Sequence, residues 1–350
     1  MQDLQRSGRI GRVPSGAEWE SCRVLQGDEV FFHRWDWLQL MAEALGSHFL
    51  PLGYYVGPKL VGLIPMLVKQ YGPYKSANWV PFPYMGPVIP GKCLREALLA
   101  IDQYQARNGI GLVQLCFSPG ADVDVAVLEE RGYKVYRDKT LIIPLAGLSE
   151  DGVLARMTPR GRKNIKQAQR RGVEVVEASR DEVARVLPGM EREVFARQGL
   201  PPANPQRAAE LAWERYSGSP CAQMIAAHIA GKVAAVSIGL SDRSLALAWY
   251  GGSWAEFRSF NAHAALYWSR IRWALRQGCS AIDLVGAPNQ GISDFKKSFG
   301  ALEVPYLVAN RSNFRAAAWA RSAHGCLTKA RNLPNWRRRM REIDSQQAQV

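Results

Sequence analysis

Residues 281–299 read Ala-Ile-Asp-Leu-Val-Gly-Ala-Pro-Asn-Gln-Gly-Ile-Ser-Asp-Phe-Lys-Lys-Ser-Phe, and the rest of the chain is organised around this stretch. An apolar strand stops at Gly286, and a polar loop then leads to Lys296 and Lys297, which stand between two phenylalanines. A cation at the end of a core strand is aimed by a rigid element, while the loop can admit a substrate. We therefore treat the stretch as the candidate functional segment, with a solvated turn as the alternative.

The composition predicts a folded protein with an anionic partner. The chain has 350 residues, 47% of them hydrophobic, which is enough for two domains with their own cores. Residues 1–150 carry 15 basic and 15 acidic residues, residues 151–310 carry 21 and 14, and residues 311–350 carry 9 and 2. This asymmetry indicates that the C-terminal part contacts RNA, a phosphorylated substrate or a membrane surface. The net charge does not choose among them.

Several classes of protein are disfavoured by the motifs that the sequence lacks. There is no run of about 18 apolar residues and no secretory signal, so a cytoplasmic location is predicted. The six cysteines and five histidines have no metal-site spacing, so no metal site is predicted. No Walker loop, Gly-x-Ser-x-Gly elbow, His-Glu-x-x-His or full dinucleotide fingerprint occurs. Triphosphate-cleaving, serine-hydrolase and zinc-enzyme functions are therefore disfavoured.

Two segments of the chain follow the same order of elements. In each, two strands joined by a tight turn precede further extended sequence, a helix ended by glycine, and another strand. The turn lysine and the helix-ending glycine are 50 residues apart in the first segment (Lys59, Gly109) and 46 in the second (Lys232, Gly278). Two tandem α/β units are predicted. The expected divisions are a mobile arm at 1–16, domains at 17–150 and 151–310, and a basic helical tail at 311–350.

Two further segments have unusual compositions. Residues 79–90 contain four prolines and three aromatic residues, which predicts either the wall of a substrate groove or an ordered crossing loop. The cluster Trp-Arg-Arg-Arg-Met-Arg at 336–341 predicts a tail that lies on anionic lipid or RNA. A loosely docked solubilising tail is the alternative.

A basic helix is predicted between the two units. Six of the twelve residues 160–171 are Arg or Lys. Thr158 supplies an N-cap, Pro159 suits the first helical position, and Gly172 should end the helix. With few apolar residues, this helix should be exposed or in contact with anions; a solvated charged face is the alternative.

The basic helix and the lysine segment together resemble the FemAB and FemX family of peptidoglycan bridge-forming aminoacyltransferases and their acyltransferase relatives. The resemblance covers about residues 20–310, and it rests on Arg162, Lys166, Ala168, Gly172, residues 250–252, 258–268 and 276–278, Asp283, and residues 295–300. It implies an α/β (α+β) fold of tandem GNAT-like domains, each a mixed, mostly antiparallel sheet flanked by helices. The sequence between 172 and 224 is too short for the coiled-coil arm of some members.

The resemblance implies transfer of an amino acid from aminoacyl-tRNA, or of an acyl group from another donor, to an amine of an anionic cell-wall precursor. The GNAT pyrophosphate loop should fall at 258–264, where the chain reads Arg-Ser-Phe-Asn-Ala-His-Ala. Without the glycines, backbone amides cannot easily hold a CoA pyrophosphate, so no bound cofactor is expected. The alternatives are an N-acyltransferase that uses an acyl thioester in envelope or polysaccharide metabolism, and a non-catalytic RNA- or envelope-binding module.

Site roles follow from these expectations. Lys296 would stabilise a phosphate or a developing charge, Asp283 would orient or deprotonate the acceptor amine, and Tyr250 would hydrogen-bond the substrate. Capping or packing roles stay open for Asp283 and Tyr250, and His263 could instead act as a general base. The predicted substrate-binding residues are Arg162, Lys166, Arg258, Asn261, His263, Phe295 and Lys297, the cations being suited to phosphates.

Overall fold

The computed structural model describes residues 8–25, 30–71, 74–197, 201–286 and 290–312. Within these ranges the helices are α1 (Gly16–Leu25), α2 (Trp35–Leu45), α3 (Leu94–Arg107), α4 (Val125–Glu130), α5 (Glu150–Arg156), α6 (Pro159–Arg170), α7 (Leu187–Arg197), α8 (Gln206–Tyr216), α9 (Ala262–Arg276) and α10 (Gln290–Lys297). A π-turn at Glu182–Val186 leads into α7, and short 3-10 turns occupy Phe31–His33, Gly91–Cys93 and Ala255–Phe260. None of the described helices is both long and apolar enough to cross a bilayer.

The strands of the described residues join in one twelve-stranded sheet. They are β1 (Arg9–Arg12), β2 (His48–Val56), β3 (Lys59–Tyr71), β4 (Tyr74–Ala77), β5 (Ile110–Cys116), β6 (Lys134–Pro144), β7 (Glu174–Glu177), β8 (Ala222–Ile229), β9 (Lys232–Asp242), β10 (Leu245–Ser253), β11 (Ala281–Asp283) and β12 (Leu302–Ser312). Because β1 pairs with β2, the predicted mobile arm is corrected for residues 9–12. The predicted tail lies outside the described residues, apart from residues 311 and 312 at the end of β12.

The strand order confirms the repeat that the sequence predicts. The order is β1-β2-β3-β4-β5-β12-β6-β11-β10-β9-β8-β7, so that counting from either edge gives equivalent strands of the two copies. The final strands are exchanged: β12 pairs with β5 of the first copy, and β6 pairs with β11 of the second. The two copies therefore share one sheet across residue 150, and the predicted domain boundaries stay a prediction.

Each copy contains one parallel strand pair, and these pairs create an opening. The parallel pairs are β4–β5 and β10–β11, whereas the other neighbours are antiparallel. In the second copy the pairing joins Leu245–Leu247 to Ala281–Asp283, although β10 continues to Ser253. The pairing ends at Leu247 and Asp283, and we call the place where it ends the opening of this copy. The helix-ending glycines at the predicted positions, Gly109 and Gly278, have φ of 67° and 72°, which favours glycine.

Candidate active site

The side chain of Lys296 lies beneath the carboxyl end of β11. It is 6% exposed, and its Nζ donates to the carbonyl oxygens of Leu284 at 2.6 Å, Val285 at 3.2 Å and Gly286 at 2.6 Å. We call these three residues and the lysine the Lys296 turn. The ammonium group has three protons, and each has an acceptor here. The helix α10 therefore places a buried cation against the loop that ends the strand.

The backbone of the Lys296 turn is strained. Val285 has φ of 50°, a left-handed conformation that β-branched residues rarely adopt, and Gly286 follows at 75°. Such a residue costs about 1–3 kcal/mol and persists only where the surroundings hold it. The lysine contacts on both sides of Val285 supply that restraint. Strain of this kind concentrates at functional sites, which makes the turn a candidate for catalysis.

Asp283 is fully buried directly before the turn. Its carboxylate accepts hydrogen bonds from the hydroxyls of Tyr84 and Thr140 and from the amide of Val285. Burial raises the pKa of Asp283, while these donors and the charge of Lys296 oppose the rise. Contact with an acceptor amine would require some of these bonds to break. The visible action of Asp283 is to fix Val285 and to balance the buried lysine.

An aromatic cluster joins α9 to α10 beside Lys296 in the chain. The rings of Phe295, Phe299 and Tyr267 lie 5.1 to 5.3 Å apart, and His263 follows at 6.4 Å from Tyr267. Burial and the charge of Lys296 lower the pKa of His263 to about 4. This imidazole is neutral near pH 7 but is a weak base, which lowers its value as a general base. Burial lowers the pKa of Lys296 itself to about 8, against the opposing charge of Asp283.

The predicted basic helix begins against the lysine segment. As expected, Thr158 caps α6 by accepting from the amide of Gly161, and Pro159 takes the first position. The amide of Thr158 donates to the carbonyl oxygen of Ser298 at 3.0 Å. A Cβ on Gly161 would lie 2.1 Å from that oxygen, so only glycine lets the two backbones approach this closely. The two segments that carried the family resemblance are thus in direct contact.

Comparison with known proteins shows which known domain and folds this geometry is similar to. Residues 159–297 match the model described as Acetyltransferase (GNAT) domain. The crystal structure of FemX superposes with a TM-score of 0.67 and 13% identity, covering 85% of this chain and 96% of FemX. The chain has the tandem GNAT fold of FemX. The match to an acetyltransferase domain indicates an acyltransferase enzyme, as the sequence predicts.

Two further structures share the tandem GNAT fold at low sequence identity. The C-terminal domain of a protein described as a lysylphosphatidylglycerol synthetase from Agrobacterium fabrum has a TM-score of 0.53 at 13% identity, covering 89% of this chain and 97% of that one. A tandem GNAT protein from the clavulanic acid biosynthesis pathway has a TM-score of 0.52 at 15% identity, with coverages of 87% and 99%. A search of curated proteins gives no match.

In the second GNAT copy, several predicted binding residues have partners within the protein. The guanidinium of Arg162 donates to the carbonyl oxygens of Leu154 and Met157 at the end of α5. Asn261 begins α9 in a left-handed conformation, and its Nδ2 donates to Gln167 of α6 at 3.1 Å. These two side chains join the basic helix to its neighbours, and their role in substrate binding stays a prediction.

The other predicted cations and Phe295 lie at or near the surface. Lys166 and Arg258 are exposed, and they stand on α6 and on the 3-10 turn before α9. Lys297 is paired with Glu303 at 3.0 Å, and Phe295 is half-buried against Tyr267. Of these residues, Lys166 and Arg258 are the ones whose exposure suits contact with a large anion.

We expect Arg162 and Lys166 to respond differently to substitution. Arg162→Gln should lower the free energy of unfolding by about 1 kcal/mol, because the carbonyls at the end of α5 lose a charged donor. Lys166→Gln should leave stability unchanged and, if the basic helix contacts RNA as the sequence predicts, weaken the affinity for RNA. Urea unfolding and RNA titration of both variants check this. Weakened RNA affinity without loss of stability in Arg162→Gln would contradict the capping role.

Tyr250 lies apart from the Lys296 turn, in a second polar network. Its hydroxyl donates to Glu191 Oε2 at 2.7 Å, and Oε1 accepts from the amide and Nδ2 of Asn204. Burial and the neighbouring carboxylate raise the pKa of Tyr250. Glu191 is 7% exposed and lies on α7, the helix that follows the π-helical segment Glu182–Val186. Glu191 could not be selected from the sequence, because a Glu-Arg-Glu run on a helix is typical of a solvated face.

A cavity of about 390 Å³ occupies the equivalent opening of the first GNAT copy. Its wall includes Ser76 of β4, Gln114 of β5 and Lys69 of β3, and also Ala203, which neighbours Asn204. The Pro-rich stretch is an ordered loop that lines this cavity at its start, and whether the cavity receives a substrate stays a prediction. Residues 79–81 line this cavity, and the residues after them are buried in the core or tied to Asp283, namely Phe82, Tyr84 and Met85.

Proposed function

We propose that the protein forms an amide or peptide bond by transferring an amino acid from aminoacyl-tRNA to an amine of a cell-wall precursor. The observation that carries the proposal is the Lys296 turn, a buried cation that holds a strained loop at the opening of the second GNAT copy. Electrostatic stabilisation of a developing oxyanion in a site of low dielectric is usually the largest single contribution to catalysis of acyl transfer. The cation, the aromatic wall and the adjacent basic helix meet that need together.

The proposed reaction proceeds by attack of the neutral acceptor amine on the ester carbonyl. The amine lone pair forms the new C–N bond, and negative charge develops on the carbonyl oxygen near Lys296. The ester C–O bond then breaks, and the terminal ribose hydroxyl of the tRNA leaves with the proton lost by the amine. Within this scheme Lys296 supplies positive potential, and Asp283 holds the turn through Val285.

The beginning of α9 supports an RNA ester over CoA. In place of a glycine loop, residues 255–260 form a 3-10 turn with two packed rings, and the side chain of Asn261 is bonded to Gln167. This turn lacks the glycines that would let backbone amides approach a pyrophosphate closely. The exposed basic face of α6 can instead contact the phosphates of RNA. A second candidate, an N-acyltransferase that uses an acyl thioester, is supported by the acetyltransferase domain match.

The cavity of the first GNAT copy supports an acceptor site. Lys69, Ser76 and Gln114 provide polar groups on its wall, beside the rings and prolines of residues 79–81. Mixed linings of this kind suit the sugar and peptide groups of an envelope precursor. We place the reaction in the cytoplasm, with the basic tail as a means of contact with the inner face of the membrane.

A donor comparison tests the proposed function. The protein is incubated with an amine-bearing muropeptide precursor and, in separate reactions, with aminoacyl-tRNA or with acyl-CoA, and the products are measured by mass spectrometry. We expect the precursor to gain an aminoacyl mass only with charged tRNA. Turnover only with acyl-CoA would replace this proposal by the thioester candidate, and no product with either donor would favour a binding module.

The pH dependence should report the protonation of Lys296. Because its pKa is lowered to about 8, we expect transfer to fall as pH rises through 8, when the cation is lost. In the unfolded protein the lysine keeps its proton up to about pH 10.4. Burial of the charged lysine therefore destabilises the fold fully below pH 8, and this cost is relieved as the pH rises from 8 to about 10.4. The stability of wild type relative to Lys296→Met should therefore rise over this range. A difference in the free energy of unfolding between the two proteins that does not change with pH, measured by urea unfolding, would contradict the lowered pKa of Lys296.

A further inference from the structure

Arg270 is a buried cation without a counter-charge in the described part of the chain. It is 3% exposed on the inner face of α9, and none of the described carboxylates forms an ion pair with it. Its Nη2 donates to the hydroxyl of Ser237 at 3.0 Å, while Nε and Nη1 have no protein partner among the described residues. A buried charge in this condition is costly unless something pairs with it. The Arg270 side chain therefore has unused capacity for an anion.

The sheet beneath Arg270 is shaped to receive its guanidinium. A Cβ on Gly239 would lie 1.0 Å from Nη1, so the guanidinium rests directly on the backbone of β9. Gln223 pairs with Gly239 across the strands, which places both on one face, and its Oε1 is another buried atom without a described partner. Burial lowers the pKa of Arg270 to about 9, consistent with the lack of an acidic neighbour.

A path leads from solvent to this guanidinium. Gly251 is exposed on β10, in the part of the strand that continues beyond its pairing with β11. It pairs with Ser237, and the position of a Cβ on Gly251 lies 3.5 Å from the Ser237 hydroxyl, which in turn contacts Arg270. Ser237 itself is half-buried. A group entering beside Gly251 therefore reaches the hydroxyl first and the guanidinium next.

The same helix face connects Arg270 to the Lys296 turn. His263, Tyr267 and Arg270 follow one another at spacings of four and three residues, which puts them on one side of α9. His263 and Tyr267 are both only partly buried, and they border the aromatic cluster beside Lys296. One face of α9 thus leads from the aromatic cluster to the guanidinium.

We propose that Arg270 forms, with the Ser237 hydroxyl, a binding site for an oxyanion, the carboxylate or phosphate group of a ligand that enters beside Gly251. Guanidinium and hydroxyl donors suit the planar oxygens of a carboxylate as well as those of a phosphate. The site is separate from the Lys296 turn and does not depend on which group is transferred. An occupied site removes the penalty of the uncompensated charge.

Calorimetric titration with sodium phosphate and, separately, sodium acetate tests this site, at constant ionic strength in a chloride buffer. We expect wild-type protein to bind at least one of them, and the tighter ligand distinguishes a phosphate source from a carboxylate source. Arg270→Met should weaken that binding at least tenfold. Arg276→Met removes an exposed arginine from the same helix and should bind like wild type. Binding of neither anion, or equal losses in both variants, would overturn the proposal.

Two further measurements distinguish an anion-binding role of Arg270 from a role in stabilising the fold alone. Without anion, the Tm of Arg270→Met should equal or exceed that of wild type, because an unpaired buried charge is removed. A lower Tm, or failure to fold, would show that Arg270 stabilises the fold and would overturn the proposal.

Gly251→Val tests the path by which the anion enters. The added side chain makes only ordinary contacts at its Cβ, so the fold should stay intact while anion affinity falls at least tenfold. Unchanged affinity in that variant would contradict the path. None of these titrations needs a donor, so their outcome is independent of the transferase proposal.

Discussion

Replacing Lys296 by methionine should lower kcat/KM for transfer by about 10²–10³-fold, the range found when one oxyanion-stabilising group is removed. Methionine keeps much of the length of the side chain and removes the charge. The carbonyls of Leu284, Val285 and Gly286 lose their common donor, and the carbonyl oxygen of the substrate loses its positive neighbour. Most of the loss should fall on kcat, because the charge matters most where the oxyanion develops.

Lys139→Met is the matched control for this loss. Lys139 is an exposed lysine that pairs with Glu303, and it lies on β6. The same chemical change there should leave kcat/KM within about twofold, since exposed ion pairs contribute little. Circular dichroism and Tm of both variants verify the fold. Wild-type turnover in folded Lys296→Met protein would remove Lys296 from the mechanism.

Gly161→Ala should lower the free energy of unfolding by about 2–3 kcal/mol, as in other overpacked sites. The added Cβ would meet the Ser298 carbonyl oxygen at 2.1 Å and its carbon at 2.9 Å, and both are backbone atoms that cannot turn away. The start of α6 must then separate from the segment that follows Lys296. We expect transfer activity to fall as well, because the hydrogen bond from Thr158 to Ser298 helps to fix that segment.

Gly152→Ala provides the control for helix propensity. Gly152 lies in α5, and a Cβ there would make ordinary contacts of 3.4 Å or more. Alanine should therefore stabilise the protein by roughly 0.5–1 kcal/mol, the usual gain over glycine in a helix. Urea unfolding of both variants measures the two opposite shifts. Equal stability of the Gly161→Ala variant and wild type would show that the two backbones are not closely packed.

Local signals in the sequence predicted much of the fold. The paired intervals ending at Gly109 and Gly278 indicated the repeat, and Thr158 with Pro159 marked the start of the basic helix correctly. These signals depend on neighbouring residues in the chain, where capping and turn preferences act. The exchange of β6 and β12 could not be predicted in this way, because equivalent strands of a repeat have similar patterns and either could pair with β5.

The partners of the site residues were harder to predict than the residues themselves. Asp283 and Lys296 were each selected as candidate site residues, and their roles stay predictions, but the hydroxyl partners of Asp283 come from distant segments, namely Tyr84 and Thr140. Arg162 gave the same sequence signal as an exposed phosphate-binding arginine, yet it donates to carbonyls of α5. Long-range packing decides such partners, and single-sequence patterns do not report it.

Binding of a tetrahedral phosphonate analogue of the aminoacyl ester, linked to adenosine, tests the central claim most directly. If the Lys296 turn stabilises the oxyanion, the wild-type protein should bind the phosphonate at least about 10²-fold more tightly than the planar amide analogue, as transition-state analogues do. Lys296→Met should abolish this preference while keeping its affinity for the amide. Equal preference for the phosphonate in wild-type and Lys296→Met protein would contradict the account.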